Sequence, residues 1–264
     1  MVDENYDSQY LRARKRKFSL EEFLDGLRRK HVIKAILKYK AVNILEIGCG
    51  PTPIFPFLDK FQNYVIVERS KVFSENALNL SNKYAKGNIT IINGKLEDVK
   101  DRIPRLKYDV IVISSVLHEV ENSAEILSIL RTFCGSSTVV VAIVPNADSI
   151  HRLLAVESNL IRSKYDDSDT DRIYNRKAHY DEKSFRLLFE KNGYDVINVY
   201  TFFIKFLSNA QLEAVLSKGI LSYEVLYGFE KLSSYLPRYG AEIFLEARIA
   251  GNNLKLRGET KNEN

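Results

Sequence analysis

Short apolar runs alternate with amphipathic stretches through most of the chain, and this alternation predicts an α/β fold. The runs are rich in β-branched residues and nearly continuous, as expected of strands covered on both faces of a parallel sheet. They lie at residues 43–47, 64–67, 89–92, 110–114, 138–144, 196–203 and 242–249. Between them, residues 72–84 and 123–133 carry apolar positions at helical spacing. The β-α-β-α order predicts a doubly wound sheet.

Further helices are predicted on either side of this alternating unit. Ser19 followed by Glu22 has the spacing of a capping box, and an apolar stripe at helical spacing continues from it. Residues 181–192 predict a helix that ends at Gly193. Residues 208–235 are predicted as one long helical stretch that separates the last two strands.

The pattern also predicts how the chain is organised. We expect a single domain over residues 19–250, with insertions on the substrate side at residues 146–180 and 204–240. The first insertion mixes basic and acidic residues and is predicted to be a lid. Residues 1–18 are polar and charge-dense and predict a flexible arm or lid, and residues 251–264 predict a polar tail.

Composition excludes several classes of protein. Apolar residues make up 45% and charged residues 28% of the chain, which excludes an intrinsically disordered protein. No apolar run approaches the roughly 18 residues needed to cross a bilayer, and Asp3 and Glu4 do not suit a signal peptide. We therefore expect a cytoplasmic protein without membrane contact. Cys49 and Cys134 fit neither a disulfide framework nor a metal site, and no metal is predicted.

The positive charge is modest. The net charge is +5, with basic runs at residues 12–17 and 28–40. Because no basic stripe interleaved with stacking aromatic residues is present, a nucleic-acid partner is not expected. A small-molecule substrate, including an anionic one, suits this charge.

The most informative pattern follows the first strand. Residues 42–51 read V-N-I-L-E-I-G-C-G-P, so the strand carries Glu46 and leads directly into Gly48 and Gly50. About twenty residues further on, the second strand ends in Glu68, where an acidic residue accepts hydrogen bonds from the hydroxyls of an adenosine ribose. A dinucleotide fingerprint would place a third glycine at Pro53, so a dehydrogenase is disfavoured.

This pattern resembles the first motif of the class I S-adenosylmethionine-dependent methyltransferases, an acidic residue followed by x-G-x-G. The resemblance implies a Rossmann-like sheet of seven strands with the last strand antiparallel. It also implies S-adenosyl-L-methionine as the cofactor. The cofactor-binding residues expected from this pattern are Glu46, Gly48, Cys49, Gly50 and Glu68.

Two further segments resemble the same family. I-N-G-K-L-E-D, after the third strand, resembles the loop that binds adenine, which implies roles for Leu96 and Glu97, although Lys95 stands where an acidic residue is common. Y-D-V-I-V-I-S-S-V-L-H-E-V, at the fourth strand, resembles the motif beside the methionine moiety and implies that Ser114 and Ser115 line the site.

Two histidines are candidate catalytic bases. Methyl transfer to a hydroxyl requires alignment of the reactants and removal of a proton, for which histidine is suited near neutral pH. His118 and His151 follow the fourth and fifth strands, and His151 is favoured slightly. A helix-capping or packing role is the alternative for each.

The segment V-P-N-A-D-S-I-H-R-L-L-A resembles bacterial methyltransferases of surface-glycan and antibiotic-sugar pathways, which implies a role in carbohydrate biosynthesis. Because arginine binds phosphate bidentately, the predicted acceptor is a nucleotide-activated sugar or another phosphorylated metabolite. The alternative is that the arginines between residues 146 and 180 are neutralised by nearby aspartates in a solvated loop. The predicted substrate contacts are Asn146, Ser149, Arg152, Arg176 and His179.

Two other functions remain open at this point. One is a regulator that binds S-adenosylmethionine without catalysis, and the other is a methyltransferase that acts on protein or RNA. The polar residues after the fourth and fifth strands favour an enzyme. Because Ser114-Ser115-Val116-Leu117 replaces the asparagine-proline-aromatic motif of amine-methylating enzymes, O-methylation is favoured, while carbon methylation of a keto-sugar would need a similar base.

Overall fold

Seven strands form one mixed sheet in the order β3-β2-β1-β4-β5-β7-β6. The computed structural model describes residues 19–84, 86–168, 171–172 and 176–251. The strands are β1 Asn43–Ile47, β2 Asn63–Glu68, β3 Asn88–Asn93, β4 Val110–Ser114, β5 Val139–Pro145, β6 Tyr194–Phe202 and β7 Glu242–Ile249. Strands β1 to β5 pair in parallel, and β7 is antiparallel to both β5 and β6. The predicted Rossmann-like sheet of seven strands is confirmed.

Helices cover both faces of this sheet. Those with described bounds are α1 Leu20–Lys38, α2 Lys71–Tyr84, α3 Leu96–Val99, α4 Ser123–Arg131, α5 Ile150–Glu157, α6 Glu182–Lys191, α7 Asn209–Ser217 and α8 Glu224–Lys231. Short 3₁₀ turns lie at Phe55–Phe57, Lys100–Arg102 and Leu232–Ser234. In the described part of the chain, no helix combines the length and apolar character that crossing a membrane requires. The predicted arm, residues 1–18, and residues 252–264 lie outside the described residues.

Alternate residues of each central strand face opposite sides of the sheet, which produces two apolar cores. Ile44 and Val112 pack with Leu24 of α1 on one side. Leu45 and Ile111 pack on the other side, against α4 and α6. Burial on both faces explains why these strands are continuous apolar runs in the sequence.

The predicted single helix over residues 208–235 is wrong. Helix α7 ends at Ser217, and α8 begins only at Glu224. Gly219 has a φ of 68°, the left-handed conformation that commonly terminates a helix. Apolar positions at helical spacing continue across this break because each of the two helices buries one face. Gly219 was the signal in the sequence that the helix ends.

Residues 146 and 180, the bounds of the first predicted insertion, lie side by side next to the carboxyl end of β5. Asn146 and Tyr180 form an isolated parallel bridge, and the N–H of Ala147 donates to the carbonyl of Tyr180 at 2.7 Å. Because its two ends are joined, the segment projects from the end of β5 as a closed loop that contains α5.

Candidate active site

The turn after β1 depends on glycine. Gly48 and Gly50 have φ angles of 72° and 56°, in the left-handed region that other residues rarely adopt. A Cβ on Gly48 would stand 2.4 Å from Cγ2 of Val116, whereas one on Gly50 would meet no described atom within 4 Å. Both glycines line a cavity at the carboxyl edge of the sheet, where parallel α/β folds bind ligands.

Glu68, the last residue of β2, holds this turn in place. Its Oε2 accepts a hydrogen bond from the N–H of Gly50 at 2.9 Å, and its Oε1 accepts one from the N–H of Ser70 at 2.8 Å. Burial raises the pKa of this carboxyl, and the two backbone hydrogen bonds oppose that rise. Because each carboxylate oxygen has two lone pairs, both oxygens retain capacity for a further donor such as a ribose hydroxyl.

Glu46 lies on the neighbouring strand and is also buried. Its Oε2 accepts hydrogen bonds from the Tyr64 hydroxyl at 2.7 Å and from the N–H of Ile54 at 3.4 Å. Burial raises the pKa of Glu46 to about 7, although the hydrogen bond from Tyr64 lowers it. Tyr64 is not among the residues predicted from the sequence. A tyrosine in the middle of an apolar strand is the available signal, because its buried hydroxyl requires a partner.

All the residues predicted to bind the cofactor line one cavity of about 330 Å³: Glu46, Gly48, Cys49, Gly50, Glu68, Leu96, Glu97, Ser114 and Ser115. We call this the cofactor cavity. Ser115 has a φ of 59°, and its buried Oγ has no hydrogen-bond partner among the described residues. A strained backbone and an unsatisfied hydroxyl are typical of a ligand site, so these residues fit a polar cofactor.

A second cavity of about 410 Å³ shares a wall with the cofactor cavity. Arg28 lines both cavities. Glu119 lines the cofactor cavity, while the preceding residue, His118, lines the second. In the same way, Lys177 lines the cofactor cavity and the preceding residue, Arg176, lines the second. The two cavities are therefore adjacent.

The second cavity brings together nearly all the predicted catalytic and substrate residues. Its lining includes His118, Asn146, His151, Arg152, Arg176 and His179. Ser149 is the exception, since it occupies the N-cap position of α5 outside the lining, and its buried Oγ makes no capping hydrogen bond and has no partner among the described residues.

Two of these side chains are largely engaged in holding the insertion. Asn146 donates from Nδ2 to the carbonyl of Gly240 at 2.8 Å. Arg152 donates to Asp171 Oδ2 at 3.1 Å and to two backbone carbonyls of the insertion. Arg176 donates to the other oxygen of Asp171 at 2.8 Å. The contacts of Asn146 and Arg152 favour a positioning role for both, and the predicted neutralisation of the arginines by an aspartate occurs at Asp171.

His118 is buried, and His151 is partly buried. Burial lowers the pKa of His118 well below its ordinary value, and the nearby Arg176 lowers it further. Burial likewise lowers the pKa of His151, with Lys205 and Arg152 acting in the same direction. The lowered pKa values favour the neutral form of both rings near neutral pH. The Nδ1 atom of each is buried without a partner among the described residues.

A group of buried charges in the second cavity was not predicted from the sequence. Arg28 donates from Nη2 to Glu242 Oε1 at 2.5 Å and from Nη1 to Glu21 Oε1 at 2.7 Å. Lys205 lies beside them, and burial lowers its pKa to about 8. The available signal was the spacing of α1, since Arg28 follows Leu24 by four residues on the buried stripe. At least one residue of the basic run 28–40, Arg28, is therefore buried and not exposed to solvent.

Comparison with known proteins agrees with this architecture. The plantazolicin methyltransferase BamL, in complex with a triazolic desmethylPZN analog and SAH, is 13% identical, with a TM-score of 0.56 over 88% of each chain. The magnesium protoporphyrin IX methyltransferase ChlM from Synechocystis PCC 6803, with bound SAH, is 12% identical, with a TM-score of 0.54 over 84% of this chain and 82% of that chain. At these identities the likeness shows the fold alone.

The chain spans about half of another similar structure, the CurJ carbon methyltransferase. It matches 86% of this chain and 54% of that chain, at 15% identity and a TM-score of 0.51. No curated protein sequence matches the chain. Residues 4–199, most of the chain, match the family model described as a methyltransferase domain. The chain therefore belongs to the methyltransferase domain family of S-adenosylmethionine-dependent enzymes.

Proposed function

We propose that the protein transfers a methyl group from S-adenosylmethionine to a hydroxyl of a small acceptor. The cofactor cavity holds the donor, and the second cavity holds the acceptor. The observation that carries this proposal is the wall shared by the two cavities, to which Arg28 and the pair His118-Glu119 contribute. Methyl transfer requires donor and acceptor to meet in line, and adjacent compartments provide this proximity.

The cofactor supplies an electrophilic methyl group when it is bound. Glu68 is suited to accept hydrogen bonds from the ribose because its carboxylate lies beside the glycine turn with acceptor capacity remaining. Gly50 leaves space for close approach, and the unpartnered hydroxyl of Ser115 offers a further polar contact. Leu96 and Glu97, after β3, are proposed to contact the adenine.

A proton must leave the acceptor hydroxyl as the new bond forms. His118 and His151 are the proposed bases, since both rings are neutral and line the second cavity. Lys205 is a further candidate because its pKa of about 8 leaves a fraction of the amine unprotonated near neutral pH.

The acceptor predicted from the sequence is a nucleotide-activated sugar or another phosphorylated metabolite of glycan biosynthesis. Arg152 and Arg176 were the reason for expecting phosphate. Both donate to Asp171, so a phosphate would compete with a carboxylate that is already in place. These contacts support a small polar acceptor more strongly than a phosphorylated one.

The cofactor role can be tested by isothermal titration calorimetry with S-adenosylhomocysteine. We expect the native protein to bind it and Glu68→Ala to weaken binding by about 1.5–3 kcal/mol, the contribution of hydrogen bonds to a charged acceptor. Glu75→Ala is the control, because Glu75 is exposed on α2 and outside both cavities. Unchanged affinity in Glu68→Ala would contradict the ribose role, and no binding by the native protein would contradict the proposed function.

A further inference from the structure

The second cavity has an apolar mouth. Leu154, Leu160 and Phe206 line it, yet these side chains are 49%, 75% and 44% exposed. Apolar side chains gathered at the entrance of a cavity are typical of a ligand site, because a bound apolar surface removes them from water. The mouth therefore suits a ligand with an apolar body.

The interior of the same cavity presents hydrogen-bond acceptors. Glu242 is buried, and its Oε1 accepts from Arg28 at 2.5 Å. Its Oε2 is also buried but has no hydrogen-bond partner among the described residues. An ionised carboxylate can only accept, so this oxygen requires a donor that the described residues do not supply.

The neighbouring histidines also have unsatisfied polar atoms. The Nδ1 atoms of His118 and His151 are buried and lack partners within the described part of the chain. Because burial lowers the pKa of both rings, each is neutral and has one nitrogen that accepts. A ligand can satisfy such a nitrogen by donating to it when it is unprotonated, or by accepting from it when it carries the proton.

The cations around the cavity are already paired with protein groups. Arg28 binds Glu21, Asp25 and Glu242. Arg152 and Arg176 both bind Asp171, which lies in the same lining. Lys205 donates to Asn209 and is attracted electrostatically by Glu242 and Glu21. An anionic ligand would therefore lie beside Glu242 and would have to displace existing carboxylates.

We propose that the acceptor is a neutral alcohol or phenol with an apolar body, and that its hydroxyl donates to Glu242 Oε2 while its body packs against Leu154, Leu160 and Phe206. This assignment rests on the proposed function. Since the other oxygen of Glu242 is bound to Arg28, which forms part of the shared wall, the hydroxyl lies at the cofactor side of the cavity. The volume of about 410 Å³ is within the range of small-molecule pockets.

Three probes with the same apolar body but different head groups test the proposal. They are 4-ethylphenol, 4-ethylanisole, which lacks the hydrogen-bond donor, and 4-ethylphenyl phosphate, which adds negative charge. Their binding is measured by calorimetry with the protein saturated with S-adenosylhomocysteine. We expect 4-ethylphenol to bind at least about tenfold more tightly than either of the others, since an unpaired buried carboxylate oxygen penalises both. Tighter or equal binding of the phosphate or the anisole overturns the proposal, as does no binding of 4-ethylphenol at millimolar concentration.

Two leucine variants test the apolar mouth without disturbing the core. Leu160→Asn should weaken 4-ethylphenol binding several-fold. Leu78→Asn is the matched control, since Leu78 is 53% exposed on α2 and outside both cavities, and it should bind the probe as the native protein does. Equal affinities in both variants contradict the role of Leu160.

Glu242→Gln tests the polar end through a ratio of affinities. We expect the preference for 4-ethylphenol over 4-ethylanisole to shrink, and an unchanged ratio contradicts the role of Glu242. Titration with S-adenosylhomocysteine alone distinguishes the two proposals. If it binds and the probes show no head-group preference, only this inference fails. If it does not bind, the proposed function fails whatever the probes show.

Discussion

Among single residues, Glu46 has an ionisation behaviour that can be measured directly. Burial raises its pKa from an ordinary value of 4.5 to about 7, partly offset by the hydrogen bond from Tyr64. A carboxyl whose folded-state pKa is raised stabilises the fold fully below the unfolded pKa, and this contribution is lost as the pH rises through the folded pKa. Between about pH 4.5 and pH 7, Glu46 therefore makes the unliganded protein progressively less stable.

Glu46→Gln removes this titration while keeping the side-chain size. We expect the free energy of unfolding of the variant, relative to the native protein, to increase from pH 5 to pH 8 by up to about 3 kcal/mol, the equivalent of the pKa shift. Urea denaturation without ligand at pH 5, 6, 7 and 8 measures the difference. A difference that does not change with pH would show that Glu46 does not titrate in this range.

The histidines make a second prediction at this scale. If His118 or His151 is the base, its replacement by Asn should lower turnover by roughly 10²–10⁴ while the affinity for S-adenosylhomocysteine barely changes. Because burial lowers the pKa of both rings, turnover should not fall between pH 9 and pH 6 through protonation of histidine.

A different profile is expected if Lys205 removes the proton. Turnover should then rise with pH through about 8, where this amine loses its proton, and Lys205→Met should abolish that rise. A pH–rate profile of the native protein and the three variants decides between the residues. Near-native turnover in all three would mean that alignment alone, or another residue such as His179, is responsible.

Among the elements, α1 is attached to β7 by a buried ion pair. Arg28 joins α1 to Glu242 at the start of β7. Replacement of Arg28 by Ala leaves Glu242 and Glu21 buried without their cation, which is expected to cost about 3–5 kcal/mol of unfolding free energy.

Lys30→Ala is the matched control on the same helix. Lys30 pairs with Glu230 at 2.7 Å, but its side chain is 66% exposed, so its loss should cost less than about 1 kcal/mol. Chemical denaturation of both variants measures the contrast. Similar small losses would mean that water reaches Arg28 and screens the pair.

The break between α7 and α8 makes a further prediction. Gly219 has a φ of 68°, so Gly219→Ala forces a side chain into the left-handed region and should destabilise the protein by about 1 kcal/mol. Gly228 lies inside α8 with no described atom within 4 Å of an added Cβ. Gly228→Ala should therefore stabilise the protein by about 0.5–1 kcal/mol. Thermal unfolding of the two variants should show shifts of opposite sign, and shifts of the same sign would contradict the conformation at Gly219.

In the molecule as a whole, the sheet order explains why the cofactor cavity lies where it does. Strand β1 pairs with β2 on one side and with β4 on the other. The register brings Ile47 level with Val67 and Ile113, so the carboxyl ends of these three strands share one edge. After β1 the chain continues to β2 on one side of β1, and after β4 it continues to β5 on the other side. This change of direction opens a crevice for the ligand.

The sequence by itself determined the strands β1 to β5, the glycine turn and the acidic end of β2. These features are local, since strand burial leaves continuous apolar runs and the turn needs glycine at fixed positions. The residues predicted to bind the cofactor line one cavity for the same reason, because they follow consecutive strands of one parallel sheet, whose carboxyl ends must meet at one edge.

Only the tertiary structure decided the character of the second cavity. Arg28 and Glu242 are 214 positions apart and meet because β7 inserts between β5 and β6, beside α1. Local patterns showed that Arg152 and Arg176 were basic, but not that both would bind Asp171. Whether a charged side chain binds a ligand or another residue depends on partners brought together by folding, which no local spacing along the chain specifies.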